Sequence, residues 1–230
     1  IRVGFPTANI IAFVNPLPGA PERLAIKLAM RKANVVAMDT NYLPWDWIRN
    51  LVLSQQEPFV ICDTDVIFWS AVEDWQFDEP LAGRYMPMFH EEFTKALAMP
   101  RLDVALLFVD PVRVRAKIEN YYNTIPDSWF THKPDLFNTQ FVPTPSGNLF
   151  YDPCALLYAA IGGQAFTEEQ LDCYDHLHCG SSSDIVGPHI GDGKMQEWHR
   201  QVFANPELAR GNWRKHDRFF AQRNGHQQTP

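Results

Sequence analysis

Several large protein classes are excluded by what this chain has little of. Its 230 residues include four cysteines, Cys62, Cys154, Cys173 and Cys179. No two form a Cys-x-x-Cys pair, which argues against a thiolate zinc site. Thiols so few and so spaced are expected to be reduced, as in a cytoplasmic protein. No apolar run approaches the roughly 20 residues a helix needs to cross a bilayer. No opening stretch reads as a secretory signal. Positive charge is also scarce, with 20 Lys and Arg against 27 Asp and Glu and a net charge of −7. A nucleic-acid binder ordinarily shows a basic face, so nucleic acid is not an expected partner. The basic residues near the C-terminus, Arg210, Arg214, Lys215 and Arg218, are interrupted by acids and apolar residues and read as a solvated helix face. No internal repeat is visible.

Apolar residues, by contrast, make up 46% of the chain. That suffices for one sizeable core and one α/β domain. Short apolar segments occur at 2–8 and 10–14, and either suits a first strand. Residues 21–33 read as a helix, with Pro21 in the first turn, Leu24 and Leu28 on the buried side and Arg23, Lys27 and Arg31 on the other. A strand over 34–38 ends at Asp39. A helix over 45–56 turns Trp45, Ile48 and Val52 to one side, and a strand over 58–62 ends at Asp63. Alternation of this kind predicts a mostly parallel sheet covered by helices, with ligands beyond the carboxyl ends of its strands. Further on, 83–89 and 104–109 read as strands, 111–122 and 152–161 as helices, and 123–149 as long loops. Residues 172–193 read as loop-rich, and the chain beyond Met195 as helix interrupted near Pro206 and Gly211.

The chemistry concentrates in FVICDTDVIFW, residues 59–69. Here Asp63 and Asp65 stand at the tip of an apolar strand, where the chain turns and both carboxylates can converge. Two anions held together are costly unless a cation lies between them. Mg²⁺ or Mn²⁺ suits oxygen ligands and often shares them with a phosphate. The alternative is a pair of turn-forming aspartates.

This stretch resembles the DxD motif of nucleotide-sugar glycosyltransferases of the GT-A fold. His189, Gly191, Gly193 and Lys194, with Trp198 beyond them, resemble the His-x-x-Gly-x-x-Lys-Pro-Trp element of glycogenin-like transferases, although the glycines are shifted and the Pro-Trp pair is absent. The resemblance implies a three-layer α/β sandwich around a mostly parallel mixed sheet, as one domain over 1–230. Residues 1–110 would form the nucleotide-binding half, and 111–230 the acceptor side with the C-terminal helices. It implies a metal-dependent, hexosyltransferase-like enzyme moving a sugar from a UDP- or GDP-linked donor to a hydroxyl of a glycan or small molecule, with retention of configuration if the likeness to glycogenin-like enzymes extends to the reaction. Asp63, Asp65 and His189 would hold Mn²⁺ or Mg²⁺, and Lys194 would bind the diphosphate.

Other positions follow from the same resemblance and from strand position. Asp39 and the segment Thr7, Ala8, Asn9 would grip the nucleoside, although Asp39 equally suits a helix cap. Asp103, on the strand opening at Arg101, would lie near the sugar, with Asp152 a second candidate. Should the reaction invert configuration, one of these carboxylates would serve as base. His176 and His178 rival His189 as the metal-binding histidine. The aromatics between Trp129 and Phe150 suit either a stacking platform for sugar rings or ordinary packing. Haloacid-dehalogenase-like phosphatases also place DxD after an apolar strand, with the first Asp as nucleophile, and residues 191–193 resemble their acidic GDG motif. In those enzymes the motif usually opens the fold, whereas here about two βα units precede it. A nucleotide-binding module without catalysis is the third possibility.

Overall fold

The structure, a computed structural model, describes residues 1–14, 34–37, 44–63, 66–91, 96–126, 134–177, 201–202 and 204–214. The predicted helix over 21–33 lies outside these residues. The first third holds strands β1 (Ile11–Val14) and β2 (Asn34–Ala37), helix α1 (Pro44–Ser54), and strands β3 (Phe59–Cys62) and β4 (Val66–Phe68). Then come β5 (Leu81–Met86), β6 (Phe89–Glu91), β7 (Ala96–Ala98), β8 (Arg101–Val109) and helix α2 (Pro111–Thr124). The last part contains β9 (Gln140–Thr144), β10 (Gly147–Tyr151), helix α3 (Ala155–Ile161), β11 (Gln164–Ala165), helix α4 (Glu168–Leu171) and β12 (Tyr174–His176). A 3-10 turn, Pro206–Ala209, follows.

The central sheet has the order β11-β5-β8-β3. Strand β8 runs antiparallel to both β3 and β5, while β11 is parallel to β5. A second sheet has the order β6-β7-β10-β9, and β1-β2 and β12-β4 form separate two-stranded ladders. The architecture is therefore mixed α/β. The expected majority of parallel pairs is not found among the described residues. Strand β3 takes as its partner β8, a strand from much later in the chain that runs antiparallel to it.

The stretch expected to be long loops also contains a hairpin. Strands β9 and β10 pair antiparallel around a turn where Gly147 adopts a φ of 128° and the Thr144 hydroxyl donates to its carbonyl at 2.6 Å. Pro143 disguises β9 in the sequence; a proline is tolerated there because β9 lies at a sheet edge.

Strand β8 divides the core. One face presents Leu102, Leu107 and Val109 to Ile48 and Val52 of α1, Val114 of α2, and Leu157 and Ile161 of α3. The other presents Ala105, Leu106 and Phe108 to Phe5, Phe68, Val72, Phe166, Tyr174 and Trp213. Helix α2 begins cleanly because Asp110 accepts a hydrogen bond from the Arg113 amide at 3.1 Å and Pro111 occupies the first turn. Helix α3 stops at Gly162, whose φ of 72° suits a residue without a Cβ. No helix among the described residues is long and apolar enough to cross a membrane.

Candidate functional site

The site is built where β3 ends. Strand β3 is apolar and half-buried, and Asp63 follows it with its side chain about half exposed (51%). The Asp63 amide donates to the Ala105 carbonyl of β8 at 2.8 Å. That carbonyl belongs to an irregular part of β8: Gly83 of β5 faces Leu107, but Tyr85 faces Leu102. The extra residues of β8 bulge, and within the bulge one oxygen of Asp103 accepts from the Ala105 amide at 3.1 Å. Bulges re-aim side chains in this way and recur beside active sites. The bulge and the end of β3 thus share one residue, Ala105, which ties Asp103 to Asp63.

The third participant is His176, the last residue of β12. Pairing of β12 with β4 sets His176 opposite Val66, three residues along the chain from Asp63. Its Nε2 lies 4.0 Å from Asp63 Oδ2, and its Nδ1 lies 3.8 Å from Asp103 Oδ2. The imidazole and the Asp103 carboxylate are largely buried, whereas Asp63 faces outward. The arrangement is one imidazole between two carboxylates, open on the Asp63 side.

Buried charge supports the site from below. Arg84 and Asp175 are both almost fully buried. Asp175 accepts hydrogen bonds from the Trp69 indole at 2.8 Å, the Gly211 amide at 2.8 Å and the Trp213 amide at 3.3 Å. Burial nevertheless raises its carboxyl above the ordinary range, against the lowering effect of these donors. Tyr174, also buried, is raised chiefly by desolvation and further by the charge of Asp103, while Arg84 opposes the rise.

The other described candidates fall elsewhere. Asp152 pairs with Arg101 at 2.6 Å at the start of β8. Burial pushes the thiol of nearby Cys154 up to about 12, so it is no nucleophile at neutral pH. Thr7 is clasped by Glu73, donating from its amide at 3.0 Å and its hydroxyl at 3.1 Å. Asn9 accepts from Asn34 at 2.8 Å. Thr7, Ala8 and Asn9 all precede the amino end of β1. Phe141 stacks on Phe150 with centroids 4.7 Å apart, which places part of the aromatic stretch on the second sheet. Asp39, Asp65, His178, His189, Lys194 and Trp129 lie outside the described residues.

Oxygen and imidazole donors of the kind Asp63, Asp103 and His176 supply are chemically suited to Mn²⁺ or Mg²⁺. Among the described residues, however, no group of three such side chains is arranged to hold a metal ion.

Sequence reasoning missed Arg84 and Asp175. The alternation Tyr174-Asp175-His176 was the available signal, since it places Asp175 and His176 on opposite faces of one strand. Comparison of the chain with family models, with curated proteins and with solved structures finds no match.

Proposed function

We propose that this chain is a metal-dependent glycosyltransferase that moves a sugar from a nucleoside-diphosphate donor to a hydroxyl acceptor, on a GT-A-like domain. The supporting observation is that Asp63, the first acid of the DxD stretch at the carboxyl end of β3, and Asp103 both lie against the His176 imidazole. In this reading Asp63 and Asp65 hold Mn²⁺ or Mg²⁺. When bound, the ion neutralises charge developing on the departing diphosphate. His176 lies against Asp63 and is the described histidine best placed to complete or orient the ligand set. His189 retains its proposed place through the resemblance, as do Lys194 at the diphosphate and Asp39 with Thr7–Asn9 at the nucleoside.

Asp103 is better placed than Asp152 to meet the transferred sugar. Its carboxylate adjoins the His176 imidazole beside Asp63, whereas Asp152 is engaged by Arg101. A retaining reaction asks no general base of the protein; an inverting one would take Asp103 in that role.

The test is binding of UDP or GDP with and without Mn²⁺. Ligand at about 100 times its dissociation constant should stabilise the fold by about 2.7 kcal/mol, read as a rise in Tm that EDTA abolishes. Slow release of free nucleotide from a sugar donor would then separate an enzyme from a binding module. Absence of any Mn²⁺-dependent nucleotide effect, with hydrolysis of an aryl phosphate instead, would overturn the reading in favour of a phosphatase.

A further inference from the structure

The strand that carries His176 is short and lies in a small ladder. Strand β12 has three residues, and its ladder partner β4 has three, in a sheet of two strands. Two-stranded ladders are marginal in water without further packing. Part of the packing is the aromatic layer beside β8, which takes in Val66, Phe68 and Tyr174, and the rest comes from the C-terminal part of the chain. Ala209 and Val202 join Leu177, Ile67 and Trp69 in a small apolar cluster. Arg210 lies over the Trp69 ring at 4.3 Å. Asn212 donates from its side chain to the His176 carbonyl at 3.2 Å, and Arg84 donates to the Trp213 carbonyl at 3.2 Å. Asp172 accepts from the Trp213 indole at 3.1 Å and from Arg214 at 2.6 Å.

Asp175 is the centre of this latch. A buried carboxylate is tolerated only when its oxygens are well supplied with donors. Its donors come from two segments: Trp69 just past β4, and Gly211 and Trp213 in the C-terminal segment. Asp175 and His176 are consecutive on one strand, so their side chains leave by opposite faces. What grips Asp175 from behind therefore sets where His176 stands in front, against Asp63 and Asp103.

We infer that the segment 209–214 is an integral part of the candidate site, and that Asp175 is the positioning residue that couples it to His176. In its functional consequence the inference rests on the proposed transferase reading; in its structural claim it does not.

Two measurements on the full chain test it. Hydrogen exchange of Asp175→Asn should show residues 174–177 and 209–214 exchanging together, about tenfold faster or more than in the parent protein, with the β5-β8-β3 sheet unchanged. The asparagine must set its NH₂ group either at Oδ1, against the Trp213 amide, or at Oδ2, against the Gly211 amide and the Trp69 indole, and so breaks one side of the latch with little change in volume. Mn²⁺-dependent UDP or GDP binding should weaken about tenfold or more in the same variant. Val52→Ala, a variant in the distant helical core, should lose Tm yet bind the nucleotide as the parent does. Trp69→Phe, which keeps the ring and removes one donor to Asp175, should give a smaller effect of the same pattern. Unchanged exchange at 174–177 in Asp175→Asn would overturn the inference, as would a freed segment with nucleotide affinity intact. Parent protein that binds no nucleotide would overturn the transferase reading alone, and the exchange result would still decide the latch.

Discussion

The two faces of β8 are built differently. The face against α1, α2 and α3 is aliphatic: Leu102, Leu107 and Val109 meet Ile48, Val52, Val114 and Leu157. The opposite face is aromatic. Phe108 lies within 6.2 Å of Phe5, Trp75, Phe77 and Phe166, centroid to centroid, and Phe166 reaches on to Tyr174. Helices supply the first face, and strands and loops from scattered positions supply the second. The candidate site stands on the second side, where Tyr174 of the aromatic layer is the strand neighbour of Asp175 and His176. Helix-built cores are held by many local contacts. A layer assembled from short strands has fewer, and its geometry depends on each anchor.

The largest expected effect lies on the aliphatic face. Leu157 is fully buried there, and Leu157→Ala should cost about 2–5 kcal/mol in urea unfolding. Mn²⁺-dependent nucleotide binding by the folded fraction should be unchanged. A loss of affinity in that variant would abolish the distinction between the faces. On the aromatic side, Gly4→Ala should cost about 1–3 kcal/mol by overpacking, because a Cβ there would stand 2.4 Å from the Phe68 ring. That strain falls on β4, so nucleotide affinity should fall along with stability. Asp110→Ala removes the cap of α2 and should cost about 1 kcal/mol, with binding intact.

The smallest effect concerns the rim of the latch. The Arg214 hydrogen bond holds the Asp172 carboxyl below its ordinary value of 3.8. A depressed carboxyl contributes stability that is present above its unfolded pKa and lost as pH falls through the folded one. The Tm difference between the parent and Asp172→Asn should therefore be constant above about pH 4 and shrink below it. Asp172 is well exposed, so the difference should be small and should diminish in high salt. A difference that grew on acidification would reverse the assignment.

Much of the helical side was legible. Ile48 and Val52, one turn apart, are buried as the period of α1 requires, and Pro111 and Gly162 mark real helix ends. The apolar strand ending at Asp63 was equally plain. The hairpin β9–β10 was hidden by Pro143, because strand propensity does not reveal that a strand lies at an edge. Nor could periodicity show that Asp103 sits in a bulge whose Ala105 carbonyl receives the Asp63 amide. That depends on the register of β8 against β5, which is a property of two strands.

The local code alone determined an α/β chain, with an acid at the tip of an apolar strand and helices at definite places. Such features arise from neighbouring residues, whose spacing sets which side chains share a face. Tertiary structure alone decided that β8 runs against both its partners, that His176 lies beside Asp63, and that Asp175 is buried under the C-terminal segment. Those outcomes depend on pairing between segments far apart in the chain. The energy that selects such pairings is the shared burial of apolar surface and the satisfaction of buried polar groups, and neither belongs to one segment.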